Sequence, residues 1–425
     1  MYHGLICKVK TRVHPNADKI KIGVVCGHQV VVGLDIVDGD MGIFFPADGQ
    51  LSHEMCIENK LYNKHPETGE SMGGYFTSNR RVRAQSFRGE KSEGFWLPLK
   101  SLEWTGVDIL ALKDGEEIAS LNGKLICEKY YTQATKTKVN SGQKKKEKKA
   151  KATTVMFSQH FDTAQYKYNS NKIPAQAVVY ISEKLHGTSG RTGLVKVEYP
   201  VIGLKAKINN LFRKKIFKEI PKWKVVTGSR RVDYLPEQEN ESGTGFYADS
   251  TFRFQISKSL EGSLKKGETL YYEIVGYTDT GKAIMGTHAI KDKELKKIFG
   301  SQMVYSYGCL PDTWKIFVYR ITATNEDGDS VDLSWPNVMS RCSEIGIEHV
   351  PMLEVRLGAD VSVEYIDEIS DGKSTLDPAT LREGVCLKIE HKDMQITLKN
   401  KGYNFKVLEG IIKDNENYVD EEEAS

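Results

Sequence analysis

The sequence of 425 residues lacks a long hydrophobic run. A helix that crosses a bilayer needs roughly 20 mostly apolar residues, and no segment approaches that length, so we do not expect a membrane-spanning protein. The chain opens Met1-Tyr-His-Gly-Leu-Ile-Cys-Lys8, without the basic segment and apolar stretch that form a secretory signal. No internal repeat is visible either, which argues against a solenoid or a propeller.

Cysteine is sparse and irregularly spaced. The sequence has seven cysteines, an odd number, and no Cys-x-x-Cys pair. Disulfide frameworks and structural zinc sites need paired or closely spaced cysteines, so we expect neither. This usage is typical of a reducing compartment, and we predict a cytoplasmic or nuclear location.

The sequence also lacks a large excess of one charge. It contains 60 Lys and Arg residues and 57 Asp and Glu residues, for a net charge of +3. The balance hides a local excess at Gln143-Lys-Lys-Lys-Glu-Lys-Lys-Ala-Lys151. This segment has too little apolar content to fold alone. It can serve as a solubilising tether, as an arm that attracts nucleic acid, or as a nuclear address; we favour a tether with weak attraction for nucleic acid.

The first third of the chain contains short β segments separated by Gly, Asp and Pro. Three examples are Ile22-Gly-Val-Val-Cys26, Val30-Val-Val-Gly33 and Met41-Gly-Ile-Phe-Phe45. Closely spaced strands without a long helical pattern predict a small β-barrel.

Basic and aromatic residues alternate near the end of this part. The arginines and aromatics are Arg81, Arg83, Arg88, Phe87, Phe95 and Trp96. On a barrel face, such side chains suit nucleic acid, because cations pair with phosphates and rings stack on bases. The alternative is that the rings lie in the core and the arginines are solvated.

Residues 155 to about 410 mix strand and helix patterns, which predicts an α+β domain. The strand candidates are Ala177–Ile181, Thr269–Val275, Trp314–Ile321 and Gly384–Ile389, and the helix candidates are Asp292–Phe299 and Val338–Ile345.

Charged residues at the edges of these apolar segments form a chemically unusual set. Lys184 ends one strand, Glu273 interrupts another, Glu383 precedes a third, and Lys399 and Lys401 project from one face of an extended segment. Carboxylates beside apolar runs are costly unless they are paired or bind a metal. Two carboxylates, two lysines and a nucleophilic lysine match the needs of nucleotidyl transfer, with divalent cations and lysines neutralising a triphosphate.

Six segments resemble, in the same order, the motifs of the covalent nucleotidyltransferase superfamily of polynucleotide ligases and RNA capping enzymes. They are Glu183-Lys-Leu-His-Gly-Thr188, Thr227-Gly-Ser-Arg-Arg231, Glu273, Lys315-Ile-Phe-Val-Tyr319, Glu383-Gly-Val385 and Leu398-Lys-Asn-Lys401.

The N-terminal part is similar to the OB-fold module of Deinococcus-type RNA ligases. The resemblance rests on His14-Pro-Asn-Ala-Asp-Lys-Ile20, Gln29-Val-Val-Val32, Gly39-Asp-Met-Gly-Ile-Phe-Phe45 and residues 83–94. It implies an OB-like barrel followed by an α+β, ATP-grasp-like nucleotidyltransferase domain built on antiparallel sheets. We expect the OB module at residues 1–125, a flexible Lys-rich linker at 126–154, the transferase domain at 155–412 and an acidic tail at 413–425.

The resemblance implies three steps. Lys184 attacks the α-phosphorus of ATP to give lysyl-AMP, AMP passes to an RNA 5′-phosphate, and a 3′-OH seals the strand, with nicked duplexes as the expected substrate. The implied partners are RNA, ATP and Mg²⁺ or Mn²⁺, and the protein is expected to be a monomer. The implied nucleotide-binding residues are Glu183, Gly187, Arg191, Arg230, Glu273, Phe317, Glu383, Lys399 and Lys401; Glu273 and Glu383 are metal ligands; and Arg81, Arg83, Arg88 and Arg231 bind nucleic acid.

Several alternatives stay open at this level. Phe317 either stacks on adenine or packs in the core. The last motif has two registers, one that pairs Thr397 with Lys399 and one, which we prefer, that uses Lys399 and Lys401. The chain could also be a DNA ligase, a GTP-using capping enzyme, or a non-catalytic RNA-binding protein.

Overall fold

The computed structural model describes residues 2–142, 153–201, 220–238, 251–392, 394–415 and 417–418. None of the helices in these ranges is long and apolar enough to span a membrane.

The first 142 residues contain short strands and two helices. They are β1 (Gly4–Lys8), β2 (Lys10–Val13), β3 (Ile20–Val25), β4 (His28–Gly33), β5 (Met41–Pro46), β6 (Gly49–Leu51), α1 (His53–Glu58), β7 (Gln85–Phe87), β8 (Glu90–Ser92), β9 (Gly94–Pro98), β10 (Glu117–Ile118), β11 (Ser120–Leu121), β12 (Lys124–Leu125), β13 (Cys127–Lys129) and α2 (Gln133–Gly142).

The remaining residues contain longer strands and five helices within the described ranges. They are β14 (Thr153–Val155), β15 (Ala164–Gln165), β16 (Val178–Lys184), β17 (Thr188–Glu198), β18 (Lys222–Gly228), β19 (Asp233–Tyr234), α3 (Phe252–Ser259), β20 (Glu268–Gly276), β21 (His288–Ala289), α4 (Lys293–Phe299), β22 (Gln302–Met303), β23 (Trp314–Thr324), β24 (Ser330–Asp332), α5 (Trp335–Ile345), β25 (Met352–Leu357), α6 (Val363–Ser370), β26 (Gly384–His391), β27 (Met394–Lys401) and α7 (Tyr403–Ile412).

The two largest sheets of the N-terminal module are antiparallel, and the pairs β6-β13, β7-β8 and β11-β12 are separate. One has the order β10-β1-β5-β9 and the other the order β2-β3-β4. In the part of the chain that the structure describes, no hydrogen-bonded strand pair joins these sheets, so the predicted closed barrel is not seen. The three strands predicted here are present as β3, β4 and β5.

Two larger sheets form the second domain. One has the order β19-β18-β17-β20-β23-β24, with β14 also paired to β17, and the other the order β15-β27-β26-β16-β25. The pairs are antiparallel except that between β15 and β27. The structure confirms the predicted α+β class with antiparallel sheets, including the predicted strands within β16, β20, β23 and β26 and the helices within α4 and α5.

Strand β20 is the central strand of the first large sheet. Its nine residues are all buried, and β17 and β23 flank it. Its near-continuous apolar sequence follows from that position, since a strand buried on both faces has no solvent side to carry polar residues.

Lys388 ties the two large sheets together. It lies on β26, donates a hydrogen bond to the Tyr319 carbonyl on β23 and places its ammonium 4.0 Å from the centre of the Trp335 ring. Burial lowers the pKa of Lys388 to about 8. The sheets therefore meet through a buried cation as well as through apolar contacts.

The segment expected to be a flexible linker is partly ordered. Cys127–Lys129 pairs with Gly49–Leu51, residues 133–142 are helical, and Thr153–Val155 pairs with β17. The lysine-rich run at 143–151 and the acidic residues at 420–423 lie outside the described residues. Pairing between strands that are distant in sequence is not visible in local composition, and the linker boundaries at 126 and 154 stay a prediction.

Candidate active site

Lys184 is the last residue of β16 and is paired with Gly384 at the start of β26. Its side chain is 18% exposed, and its Nζ atom lies 2.7 Å from Oε2 of Glu383. The predicted nucleophile therefore has a carboxylate as its neighbour and still reaches solvent.

Glu383 is the electrostatic centre of the site. Its side chain is 1% exposed, and its Oε1 atom lies 3.5 Å from the Lys401 ammonium. His186 Nδ1 lies 3.5 Å from Oε2. Burial by itself raises the pKa of Glu383, but Lys184 and Lys401 reverse that effect and hold the pKa well below its usual range. Glu383 is therefore ionised at neutral pH.

Strand register places the three lysines on one face. Lys184 is opposite Gly384 in β26, Gly384 is opposite Lys401 in β27, and Cys386 is opposite Lys399. Directly opposed residues share a face, as do residues two apart along a strand. Lys399 and Lys401 thus project to the same side as Lys184, as does Thr397, so the strand register leaves both readings of the last motif open.

Glu273 holds the turn that follows Lys184. Its Oε1 atom accepts a hydrogen bond from the Gly187 backbone at 3.1 Å, and Ser189 lies within 3.5 Å of Oε2. Phe317 is opposite Glu273 on β23 and is 1% exposed. Phe317 is therefore a core residue on the sheet face that carries Glu273.

Gly187 has no room for a side chain. A Cβ atom there would lie 2.3 Å from the backbone oxygen of Ile274, which cannot move without disturbing β20.

We expect Gly187→Ala to displace the turn beside Lys184, lower the free energy of unfolding by about 1–3 kcal/mol and reduce nucleotide transfer to Lys184. Thermal unfolding together with nucleotide labelling checks this. The matched control is Gly286→Ala, because a Cβ atom at Gly286 would meet no atom closer than 3.5 Å.

The structure does not bring the Glu183 carboxylate into this site. Side chains alternate along a strand, so Glu183 points away from the face of Lys184. Its Oε2 atom accepts hydrogen bonds from the backbone and the hydroxyl of Thr375, at 2.8 and 2.7 Å. The carboxylate therefore anchors a loop on the opposite side of β16, and its assignment to nucleotide binding stays a prediction.

Arg191 is also occupied elsewhere. It is 1% exposed, donates to the carbonyls of Ser158 at 2.6 Å and Ser229 at 3.1 Å, and pairs with Asp233. These bonds join three segments of the domain, so the guanidinium is a structural tie here rather than an open nucleotide ligand. Arg230 pairs with Asp162 beside it.

The arginines predicted to bind nucleic acid have different environments. Arg81 is 3% exposed and donates to the Gly410 carbonyl at 2.8 Å, so it joins the N-terminal module to α7, and its assignment to nucleic acid stays a prediction. Arg83 pairs with Asp414 at 2.9 Å and keeps 35% of its side chain exposed. Arg88 and Arg231 are exposed.

Arg83 lines a groove of about 470 Å³ on the N-terminal module. Tyr75, Phe87 and Phe95 line it as well, and the Tyr75 and Phe95 rings are stacked with centroids 6.0 Å apart. Trp96, although part of the same sequence pattern, is only 4% exposed. The predicted mixture of cations and rings is therefore present, with fewer members than the sequence suggested.

Two residues near Lys184 were missed by the sequence analysis. His186 contacts Glu383 and packs edge-on against the Tyr305 ring, with centroids 4.5 Å apart. Arg253 on α3 donates to Ser189 O and Thr188 Oγ1, both at 2.9 Å. The sequence could have indicated His186, because it lies two residues after Lys184. Nothing in the sequence around Arg253 indicated that it lies near the site.

The predicted metal ligands Glu273 and Glu383 contact different groups. In the described ranges, no group of three or more His, Cys, Asp or Glu side chains is placed to hold a metal ion. Mg²⁺ in phosphate-transfer sites usually binds one or two carboxylates and completes its shell with phosphates and water. The two carboxylates therefore fit a cation that arrives together with a nucleotide.

The fold and the site fit the class of nucleotidyltransferases, with a strand-end lysine, a buried carboxylate and a face of further lysines. The RNA ligase family model matches residues 177–408, more than half of the chain, and the chain belongs to the RNA ligase family. No curated protein matches it significantly.

Solved structures of an RNA ligase from Naegleria gruberi have the same fold. A variant with AMP and Mn is 15% identical with a TM-score of 0.60, and covers 95% of this chain and 97% of that one. The structure with pyrophosphate is 15% identical with a TM-score of 0.59, over 95% of this chain and 98% of that one. At this identity the likeness shows the fold alone, over 95% of this chain.

Proposed function

We propose that this protein is an ATP-dependent RNA ligase that joins a 3′-OH to a 5′-phosphate through lysyl-AMP and an RNA adenylate. The observation that carries the proposal is Lys184, with its Nζ atom 2.7 Å from the buried Glu383 on the face of Lys399 and Lys401. Membership of the RNA ligase family supports it. A related fold has been solved with ATP and Mn, which supports the nucleotide and the cation.

In the first step, the Lys184 amine forms a bond to the α-phosphorus of ATP, and pyrophosphate leaves. A free lysine, with a pKa of about 10.4, must lose its proton to act. Glu383 stabilises the ammonium form of Lys184, so this contact must loosen before attack. Lys399 and Lys401 bind phosphate oxygens and favour the neutral amine of Lys184 by like-charge repulsion.

Glu273 and Glu383 would hold the divalent cation. When bound, that cation neutralises charge on the phosphates and the leaving pyrophosphate. Glu273 also accepts a hydrogen bond from the Gly187 backbone. The same side chain would therefore fix the turn beside Lys184 and bind the cation. We retain Gly187 as part of the nucleotide cradle.

In the later steps, AMP passes from Lys184 to an RNA 5′-phosphate, and a 3′-OH then displaces AMP. The N-terminal module, which we propose to be OB-like and of the Deinococcus type, would hold RNA beside a nick in a duplex. The partly exposed Arg83 and the exposed Arg88 and Arg231 are the candidate phosphate ligands, and the groove rings are candidate base contacts. We propose that the ligase works as an intracellular monomer.

One labelling experiment decides the nucleotide. The protein is incubated separately with ATP and GTP carrying a labelled α-phosphate, and the adduct is located by peptide mass spectrometry. We expect an AMP adduct on Lys184 only. A GMP adduct alone would contradict the ligase assignment and favour a capping enzyme. A panel of 5′-phosphate ends in RNA and DNA, with and without a template, then defines the acceptor.

The lysine-rich segment gives a separate prediction. Deleting residues 143–151 removes six lysines and one glutamate, and each lost phosphate contact should reduce the salt dependence of binding. We expect RNA affinity to fall mainly below about 0.1 M salt, where screening is weak. Binding titrations at several salt concentrations check this, and a variant that replaces the segment with Gly and Ser separates charge from length. Unchanged affinity at every salt concentration would exclude a role in RNA binding.

A further inference from the structure

Helix α7 places a second carboxylate beside the candidate phosphate-binding lysines. Both carboxylate oxygens of Glu409 lie near the Lys401 ammonium, at 3.3 and 3.2 Å. Lys401 also faces Glu383 at 3.5 Å and lies 5.1 Å from the centre of the Phe405 ring. Glu409 is therefore in direct contact with a cation of the site without facing Lys184.

The same carboxylate leads to the N-terminal module. Oε1 of Glu409 lies 3.1 Å from the ammonium of Lys413, which in turn lies 2.7 Å from Asp48. Lys413 is 3% exposed, whereas Asp48 is 29% exposed. Asp48 occupies the turn between β5 and β6 and thus belongs to the module that precedes the catalytic domain.

These contacts form a continuous series of alternating charges, which we call the ion-pair chain. Its members, in order, are Lys184, Glu383, Lys401, Glu409, Lys413 and Asp48. Burial raises the pKa of Glu409, yet Lys401 and Lys413 together hold that pKa well below its usual range. Each internal member has opposite charges on both sides, so the position of each depends on its neighbours.

We propose that Glu409 is a positioning residue for Lys401. Through Lys413 and Asp48, the position of Lys401 in the nucleotide site also depends on the position of the N-terminal module. The inference rests on the proposed function, because it assigns the phosphate of ATP as the ligand of Lys401. Glu409 holds the flexible Lys401 side chain at the edge of the site, which reduces the entropy lost when the ammonium binds phosphate.

The first test is Glu409→Gln, which keeps the side-chain shape and removes the charge. We expect the KM for ATP in lysyl-AMP formation to rise about tenfold, the effect of losing one charge-assisted hydrogen bond. The rate at saturating ATP should change little, because Lys401 acts on bound and reacting nucleotide alike. Glu409→Asp, which retains the charge, should restore part of the affinity.

Asp48→Asn tests the remote end in a residue that is partly exposed and far from Lys184. We expect a smaller rise in the KM for ATP, about two- to threefold, although Asp48 touches no part of the site. Asp414→Asn is the matched control, since it removes the ion pairs with Arg81 and Arg83 that also join the segment after α7 to the N-terminal module, outside the ion-pair chain. It should leave the KM for ATP unchanged.

The double variant Glu409→Gln with Asp48→Asn separates coupling from general destabilisation. Residues in one network are not additive, so we expect the double variant to resemble Glu409→Gln alone. A product of the two single effects, or a wild-type KM in Glu409→Gln, would overturn the proposal. If Glu409→Gln does not fold, Asp48→Asn and its control decide the question. Absence of any lysyl-AMP in the unaltered protein would instead contradict the proposed function.

Discussion

Replacing Lys184 with alanine is expected to abolish the transfer of AMP to the protein. Loss of a covalent nucleophile removes the reaction path itself, and we expect activity to fall by at least about a thousandfold. The chain should still fold, because the Lys184 side chain is 18% exposed and stands at the end of β16. Labelling with ATP and denaturing electrophoresis measure the adduct, and nick-sealing assays measure the complete reaction.

The control for Lys184→Ala is Lys297→Ala. Lys297 is 71% exposed and pairs with Glu294 on the surface of α4, so its loss should leave labelling at the wild-type level. A pre-adenylated RNA bypasses the first step, and Lys184→Ala should retain part of its ability to seal that substrate. Sealing of ordinary 5′-phosphate RNA by Lys184→Ala would disprove the lysyl-AMP mechanism.

Glu383→Gln should have the second largest effect. The change keeps the shape of a side chain that is 1% exposed but leaves Lys184 and Lys401 without this counterion. We expect AMP transfer to fall by about a hundredfold or more, and the free energy of unfolding by about 2–3 kcal/mol. Quenched-flow labelling and urea unfolding at pH 7 provide the two values.

The pH dependence of stability provides an independent test of the role of Glu383. The pKa of Glu383 is held well below its ordinary value of 4.5 in the folded protein. Its ionised form therefore stabilises the fold above that ordinary value, and this contribution is lost as the pH falls from about 4.5 toward the lower folded pKa. The wild type should lose stability more steeply than Glu383→Gln below pH 4.5, and the difference between them should be constant near neutrality.

Glu294→Gln is the matched control for Glu383→Gln. Glu294 belongs to an exposed ion pair, with 76% of its side chain exposed, and exposed pairs contribute little to stability. Its removal should change neither labelling nor the acid limb of the unfolding curve. Parallel acid limbs for the wild type and Glu383→Gln would show that Glu383 is not the group responsible.

Local sequence was sufficient for the main strands and for the order of the site residues. The apolar runs predicted within β20, β23 and β26 are present as strands, because alternation and β-branched residues act over a few neighbouring positions. The placement of Lys184 at a strand end followed from the same pattern. Lys399 and Lys401 share a face because side chains in any strand repeat every two residues.

Burial of charged residues was decided only by the tertiary structure. Arg81 and Arg83 are two residues apart in a basic segment, yet Arg81 is buried against α7 and Arg83 is partly exposed. Glu183 and Lys184 are adjacent, yet they serve opposite faces of β16. A charged residue type does not reveal whether its partner is water, a ligand or another side chain.

The sequence by itself determined the α+β class and the position of Lys184 at a strand end. It also placed the flanking charges in one ordered set of segments. Only the tertiary structure decided which carboxylate meets which lysine, including the ion pairs of Glu409 and Asp48 that lead from Lys401 to the N-terminal module. The physical reason is that strand patterns depend on neighbours in the chain, whereas ion pairs depend on which distant segments fold together.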